Sequence, residues 1–253
     1  MSTLMSVLLW GAVALAEEPT TSSGDKPTIE ELLDDTDDVA RGSSSEAVMD
    51  MQVKTSRYER SMKMRALSKG EENSLIVILE PAKDAGVATL KNGDNLYNYM
   101  PKVDRTMKIP AGMMSGAWMG SHFSNDDLVK GSRMREDYTY TFTHQPGEPG
   151  EPADAWVIEL IPKPDAPVVW GKVVVTIGSD RVPRTIDYYD ERGDKIRTME
   201  FTDVQEVDGR KVPMTFTLVP HDKPGEYTKM HYESLKFDVP LDDNAFTLQA
   251  LKR

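Results

Sequence analysis

Tyr138-Thr139-Tyr140-Thr141-Phe142-Thr143 alternates aromatic and threonine side chains without a break. Successive side chains of an extended chain point to opposite faces, so the pattern predicts a strand with one greasy face and one wet face. Met214-Thr215-Phe216-Thr217-Leu218 repeats the signal. Working outward, segments of the same period occur at residues 47–55, 59–68, 74–80, 86–91, 95–100, 156–161, 168–177, 181–189, 196–207 and 228–238, with Gly, Pro, Asn and Asp between them. Links such as residues 145–153 and 178–180 suit hairpin connections, so a meandering antiparallel sheet is expected.

Two segments break the alternation. Leu75-Ile76-Val77-Ile78-Leu79, and Val168-Val169-Trp170 with Val173-Val174-Val175, are apolar on both sides. Such strands need cover on both faces, which either a two-layer sandwich or a curved sheet with helices laid over it would provide. One cover is legible. Thr28-Ile29-Glu30-Glu31 is a capping box, and Ile29, Leu32 and Leu33 form the stripe of a helix that Gly42 and Ser43 end. A second is predicted where Ser124 or Asn125 caps a short helix with Asp126 and Asp127 in its first turn.

The 253 residues carry a net charge of −12. Eleven acidic residues against Lys26 and Arg41 fall within residues 17–50, so the acidity is concentrated near the start and the rest is close to neutral. No basic stripe is left for nucleic acid. Leu4 to Leu15 is an apolar run too short to span a bilayer, and it ends in Ala14-Leu15-Ala16, a small-x-small cleavage pattern. Residues 1–16 are therefore expected to be a signal peptide cleaved after Ala16, with export to the periplasm, and residues 17–27 a disordered polar lead-in. The absence of Cys excludes disulfides and an acylated N-terminal cysteine.

Chemistry is scarce. His122, His144, His221 and His231 lack zinc-ligand spacing, there is no Gly-x-Ser-x-Gly elbow, and no phosphate loop occurs. No metal, no cofactor and no enzyme activity is expected. The segment DNLYNYMPKVDRTMKIPAGMMSGAWMGSHFSNDDLV, residues 94–129, is the functional candidate, because Pro101, Pro110, Gly112, Gly116 and Gly120 make it largely loop while its side chains are greasy. Loops seldom carry such side chains without burying them against something. Tyr97, Tyr99, Met100, Met113, Met114, Trp118, Met119 and Phe123 are the expected hydrophobic lining of a ligand site, the methionines adapting to acyl chains of varied shape. Their alternative is ordinary core packing.

The same segment carries a family resemblance. Leu96-Tyr97-Asn98-Tyr99-Met100-Pro101 followed by Trp118-Met119-Gly120-Ser121-His122-Phe123-Ser124-Asn125-Asp126-Asp127-Leu128 resembles the outer membrane lipoprotein-sorting protein family, related to the LolA-like periplasmic lipoprotein carriers. The likeness extends through Val182-Pro183-Arg184, Tyr188-Tyr189-Asp190, Gly209-Arg210-Lys211-Val212-Pro213 and Asp242-Asp243-Asn244-Ala245-Phe246-Thr247. It implies a mainly β fold, an incomplete antiparallel barrel covered by a few α-helices, over a domain of residues 28–253. Residues 113–129 and the Ile29 helix would be the covers. It also implies a monomeric carrier of lipid or lipoprotein acyl chains, with an inner-membrane transporter as a further partner. The alternatives are an accessory protein docking on such a transporter, and an envelope hydrolase. Carriers of this kind hold a covering helix with a strand arginine; Arg57, Arg60 and Arg65 lie on early strands, and none is matched to that role.

Overall fold

Thirteen strands follow one another as neighbours, with a single exception. In the computed structural model, which describes residues 26–39, 41–130, 133–150 and 152–252, the strands are β1 (Ser44–Lys54), β2 (Glu59–Lys69), β3 (Asn73–Glu80), β4 (Ala88–Asn92), β5 (Asn95–Met100), β6 (Arg105–Lys108), β7 (Tyr138–His144), β8 (Ala155–Pro162), β9 (Lys172–Gly178), β10 (Pro183–Tyr189), β11 (Lys195–Val207), β12 (Arg210–Pro220) and β13 (Tyr227–Phe237). Their order across one sheet is β6-β5-β4-β3-β2-β1-β13-β12-β11-β10-β9-β8-β7. Two antiparallel meanders are thus joined where β1 pairs with β13. The sheet does not close, because β6 and β7 are both edges. It forms an open barrel, mainly antiparallel β, with three α-helices among the described residues. The expected signal segment, residues 1–16, and most of the lead-in 17–27 lie outside the described residues.

Directly opposed residues share a face of the sheet. Following the register, Ile78 opposes Met64, Met64 opposes Met49, and Met49 opposes Tyr232. One level along, Met51 opposes Met230, which opposes Phe216, which opposes Phe201. Met199, Ile186, Val175, Ile158 and Phe142 carry the same face to the far edge. This is the concave wall, and most of its side chains are buried. Each apolar side chain fully withdrawn from water contributes about 1.5–3 kcal/mol. Tight turns keep the meander in register; between β11 and β12, Asp208 (φ 49°) and Gly209 (φ 76°) both adopt left-handed backbone, as a two-residue hairpin turn demands.

Helix α1 (Ile29–Asp38) covers one half of the concave side. Thr28 accepts from the Glu31 amide at 3.2 Å and Glu31 accepts from the Thr28 amide at 3.0 Å, so the capping box forms as expected. Leu32 and Leu33 are driven into a cluster with Trp156, Ile158, Leu160, Val175 and Ile186. The other half is covered by the segment after β6, where Trp118 and Phe123 join a cluster with Met62, Met64, Ile78 and Met214. Helices α2 (Asn125–Lys130) and α3 (Met134–Asp137) then lead to β7. They cross between the two sheet edges, with Arg133 bonded to Asp94 at 3.4 Å and Lys130 to the Pro167 carbonyl.

The doubly apolar strand at residues 75–79 has its two covers. Ile76 and Ile78 face the concave side, while Leu75 and Val77 sit on the convex side with Leu67, Leu90, Tyr97 and Tyr99 beneath Phe246 and Leu251 of the C-terminal segment. Two details depart from expectation. Arg105–Lys108 is an edge strand within the stretch expected to be mostly loop, too short to display a period. The strand expected from 168 begins at Lys172, since Pro167 and Gly171 bracket an irregular turn in which Trp170 lies against Tyr188, ring centres 5.1 Å apart.

Phe246→Ala should open the convex cover and cost about 3–5 kcal/mol. Urea unfolding is expected to show a lower midpoint at unchanged slope.

Candidate functional site

The two concave clusters do not fill the barrel. Between them lies a cavity of about 370 Å³, with Ala47, Met49, Ala66 and Ile76 on one wall and Ile186, Met199, Phe201 and Phe216 on the other. Phe123, Leu128 and Met134 close it from the covering segment, and the last turn of α1 with Val39 lies over one end. Charged lining gathers at that end, where Asp37, Arg41, Glu71 and Lys91 meet the apolar interior, and Asp127 lines the cavity from the covering segment.

The charged end is unevenly satisfied. Arg41 Nη2 donates to the Asp37 carbonyl at 2.9 Å, one of the free carbonyls at the end of α1. Its Nη1 is buried without a hydrogen-bond partner among the described residues. Lys91, 7 % exposed, gives its ammonium to the Glu71 backbone carbonyl. Burial, and then the neighbouring Arg41 charge, hold the Lys91 pKa below its ordinary value. Burial pushes the Asp37 carboxyl up to about 7 against the opposing pull of Arg41. Tyr188 and Tyr232, both lining the cavity, are pushed up to about 12, again chiefly by burial.

A buried ion pair fastens the cover. Arg197 of β11 is 7 % exposed and meets Asp127 of α2 with two bonds, 2.9 and 2.6 Å, in the two-pronged geometry that suits guanidinium and carboxylate. Its guanidinium also stacks 4.4 Å from the ring centres of both Trp170 and Tyr188. Burial opposes the charge, but the Asp127 bonds outweigh it and Arg197 is raised above its ordinary value. Asp127 also receives the Ser124 amide and hydroxyl at 2.7 and 2.9 Å, so helix capping and strand attachment share one carboxylate. Arg60 instead bonds Asp84 and the Met119 carbonyl, and Arg65 pairs with Glu46.

The rest of the covering segment is held by polar contacts at its far end. Trp118 Nε1 donates to Thr89 Oγ1 at 3.1 Å. The His122 ring lies between Thr228 (2.8 Å) and Glu226 (3.0 Å), a contact that holds the Glu226 pKa down to about 2. Gly120 has a left-handed backbone and the Tyr58 hydroxyl approaches its carbonyl, leaving a Cβ there only 3.0 Å from that oxygen.

Of the eight side chains expected to line a ligand site, Phe123 faces the cavity. Trp118 and Met119 pack in or against the cluster behind one wall. Tyr97 and Tyr99 lie on the convex face because strand parity turns Leu96 inward and its neighbours out. Met100 is half-buried beside the turn after β5, Met114 packs against Leu96, Ile109 and Val129, and Met113 is 59 % exposed. Most of the wall therefore comes from strands and α1. One signal for it was present: Arg197 shares the parity of Met199 and Phe201, which places a cation on an apolar face. Among the described residues no group of three His, Cys, Asp or Glu side chains is arranged to hold a metal ion.

An open antiparallel barrel with helical covers over an apolar cavity is the architecture of the LolA superfamily. The chain matches an outer membrane lipoprotein-sorting protein domain from Vibrio parahaemolyticus at 25 % identity and TM-score 0.72, over 88 % of this chain and 97 % of that one. A LolA superfamily protein from Nitrosomonas europaea matches at 24 % identity and TM-score 0.71, over 89 % and 100 % of the two chains. A DUF1329 family protein from Desulfovibrio piger matches at 21 % and TM-score 0.74, over 87 % and 96 %. A comparison with curated proteins finds no match. The chain belongs to the family whose model matches it over residues 70–253, described only as that of an uncharacterized protein, and it shares the fold of the LolA-like structures.

Asp37 gives the site a pH signature. Its proton is held more tightly in the folded than in the unfolded chain, so its contribution to stability falls as pH rises from the ordinary carboxylate range to about 7 and is constant above. Asp37→Asn should raise stability by roughly 1–4 kcal/mol at pH 8 and change it little at pH 4, as read by thermal melts at both values.

Proposed function

We propose that this protein is a periplasmic carrier that takes up a lipid or the acyl chain of a lipoprotein in the concave cavity and passes it between envelope components, without catalysis. The observation that carries this reading is the apolar cavity of about 370 Å³ beneath a cover whose buried ion pair ties it to β11. Met49, Met134 and Met199 in its lining are unbranched and polarizable, able to follow chains of different shape. Of the central segment, Phe123 meets the ligand, and Trp118 and Met119 brace the wall that receives it. Each buried methylene is worth about 0.8 kcal/mol before ordering costs, enough for firm yet reversible holding. The apolar run and Ala14-Leu15-Ala16 of the leader support export.

Transfer is an exchange between two apolar pockets, biased by how much better the ligand fits the closed than the open state. The Arg197–Asp127 pair sets that balance, since opening strips a buried cation of its partner. A transporter-docking role draws on a separate feature, the exposed Val103 and Met113 on the same segment.

Ala66→Trp, which projects bulk into the cavity, should lower affinity for a fluorescent fatty acid by about tenfold or more. Unchanged binding in a folded variant would remove the cavity as the binding site. Asp127→Asn should speed ligand release in stopped-flow displacement and lower stability by about 3 kcal/mol, the usual scale for orphaning one member of a buried pair.

A further inference from the structure

We propose that the cavity selects a single-chain amphiphile with an anionic head, a carboxylate or phosphate, seated at Arg41 and Lys91 with its tail directed toward Phe123, Met199 and Phe216. This rests on the carrier reading above and adds the number of chains and the chemistry of the head.

The size of the cavity argues for one chain. A water-sized group occupies about 30 Å³, and a methylene is of similar bulk, so about 370 Å³ holds roughly a dozen such groups. Two or three long chains would need several times that volume. The distribution of polarity argues for an amphiphile. The far walls are apolar, while the two cations of the lining, neither in an ion pair among the described residues, sit together where α1 ends and the cavity meets exposed Gly70 and Glu71; Arg197, outside the lining, is spent on Asp127.

The state of the two cations argues for an anion. Arg41 Nη1 is withdrawn from water with no acceptor among the described residues, a costly arrangement that a turn of the guanidinium toward an incoming oxygen relieves. Lys91 has three donors and spends one on the Glu71 carbonyl. The two positive charges stand close enough for Arg41 to disfavour the charge on Lys91, so an anion between them stabilises both. Four carboxylates stand near this end and do not cancel it. Asp37 keeps its proton up to about 7, and the Glu71, Glu72 and Asp94 side chains are in solvent, Asp94 paired with Arg133.

The test is calorimetric titration of the delipidated, full-length mature protein at pH 6.5, below the critical micelle concentrations, with palmitate, palmitoyl lysophosphatidic acid, monopalmitoylglycerol and dipalmitoyl phosphatidylglycerol. Palmitate or the lysophosphatidic acid should bind about tenfold or more tightly than the neutral glyceride, the scale of one charge-assisted hydrogen bond. Whichever anion binds better identifies the head as carboxylate or phosphate. R41Q and, independently, K91M should abolish most of that preference, read as the ratio of anion to glyceride affinity within each variant. Equal binding of the glyceride and both anions would overturn the anionic-head assignment and leave the carrier reading standing. Uptake of the two-chain lipid as tight as that of palmitate would overturn the single-chain assignment. Failure of all four ligands would overturn the carrier reading itself. The ligand comparison uses the unaltered protein, so it decides even if a variant fails to fold.

Discussion

An open sheet whose inward side chains are nearly all apolar cannot stand uncovered in water, and that constraint organises the molecule. Thirteen strands in one register-consistent sheet place methionine, valine, isoleucine and aromatic side chains on the same concave wall. The covers are small by comparison: one ten-residue helix, a segment with short helical turns, and two brief helices. They bury the wall at two places and leave the space between unfilled. The cavity is thus what remains when a long curved sheet is paired with too little material to pack it.

The charged groups fall where this mismatch is greatest. Arg197 and Asp127 lie at the seam between sheet and cover, and Asp37, Arg41 and Lys91 at the end where α1 stops. Removing water from such groups is expensive unless they are paired. The seam pair neutralises its charges with two short bonds and two aromatic faces, though Arg197 Nε keeps no acceptor among the described residues, whereas Arg41 at the end of α1 bonds only a backbone carbonyl.

Strand alternation was legible along nearly the whole chain, because side-chain period two is imposed locally by the backbone. The capping box at Thr28 and the first turn of α2 were legible for the same reason: each is complete within four residues. The lining was not, because it is assembled from β1 to β4, β10 to β13, the covering segment and the end of α1, and one residue of parity decides the face. Tyr97 and Tyr99 illustrate this, greasy and adjacent to inward Leu96, yet under the C-terminal cover. Arg197 and Asp127 are seventy positions apart, a separation that no local pattern bridges.

The pairing of β1 with β13 ties the earliest strand to the last. A chain delivered from its amino end can zip β1 to β6 by hairpins alone, yet the other side of β1 keeps its ladder of amides and carbonyls open until residues 227–237 arrive. That side is an exposed template for wrong partners during the interval. Its contacts span most of the polypeptide, which makes barrel completion a slow, late event. Until then the two meanders that wall the cavity are unjoined, so the cavity takes its final form only when the carboxyl-terminal strand is delivered.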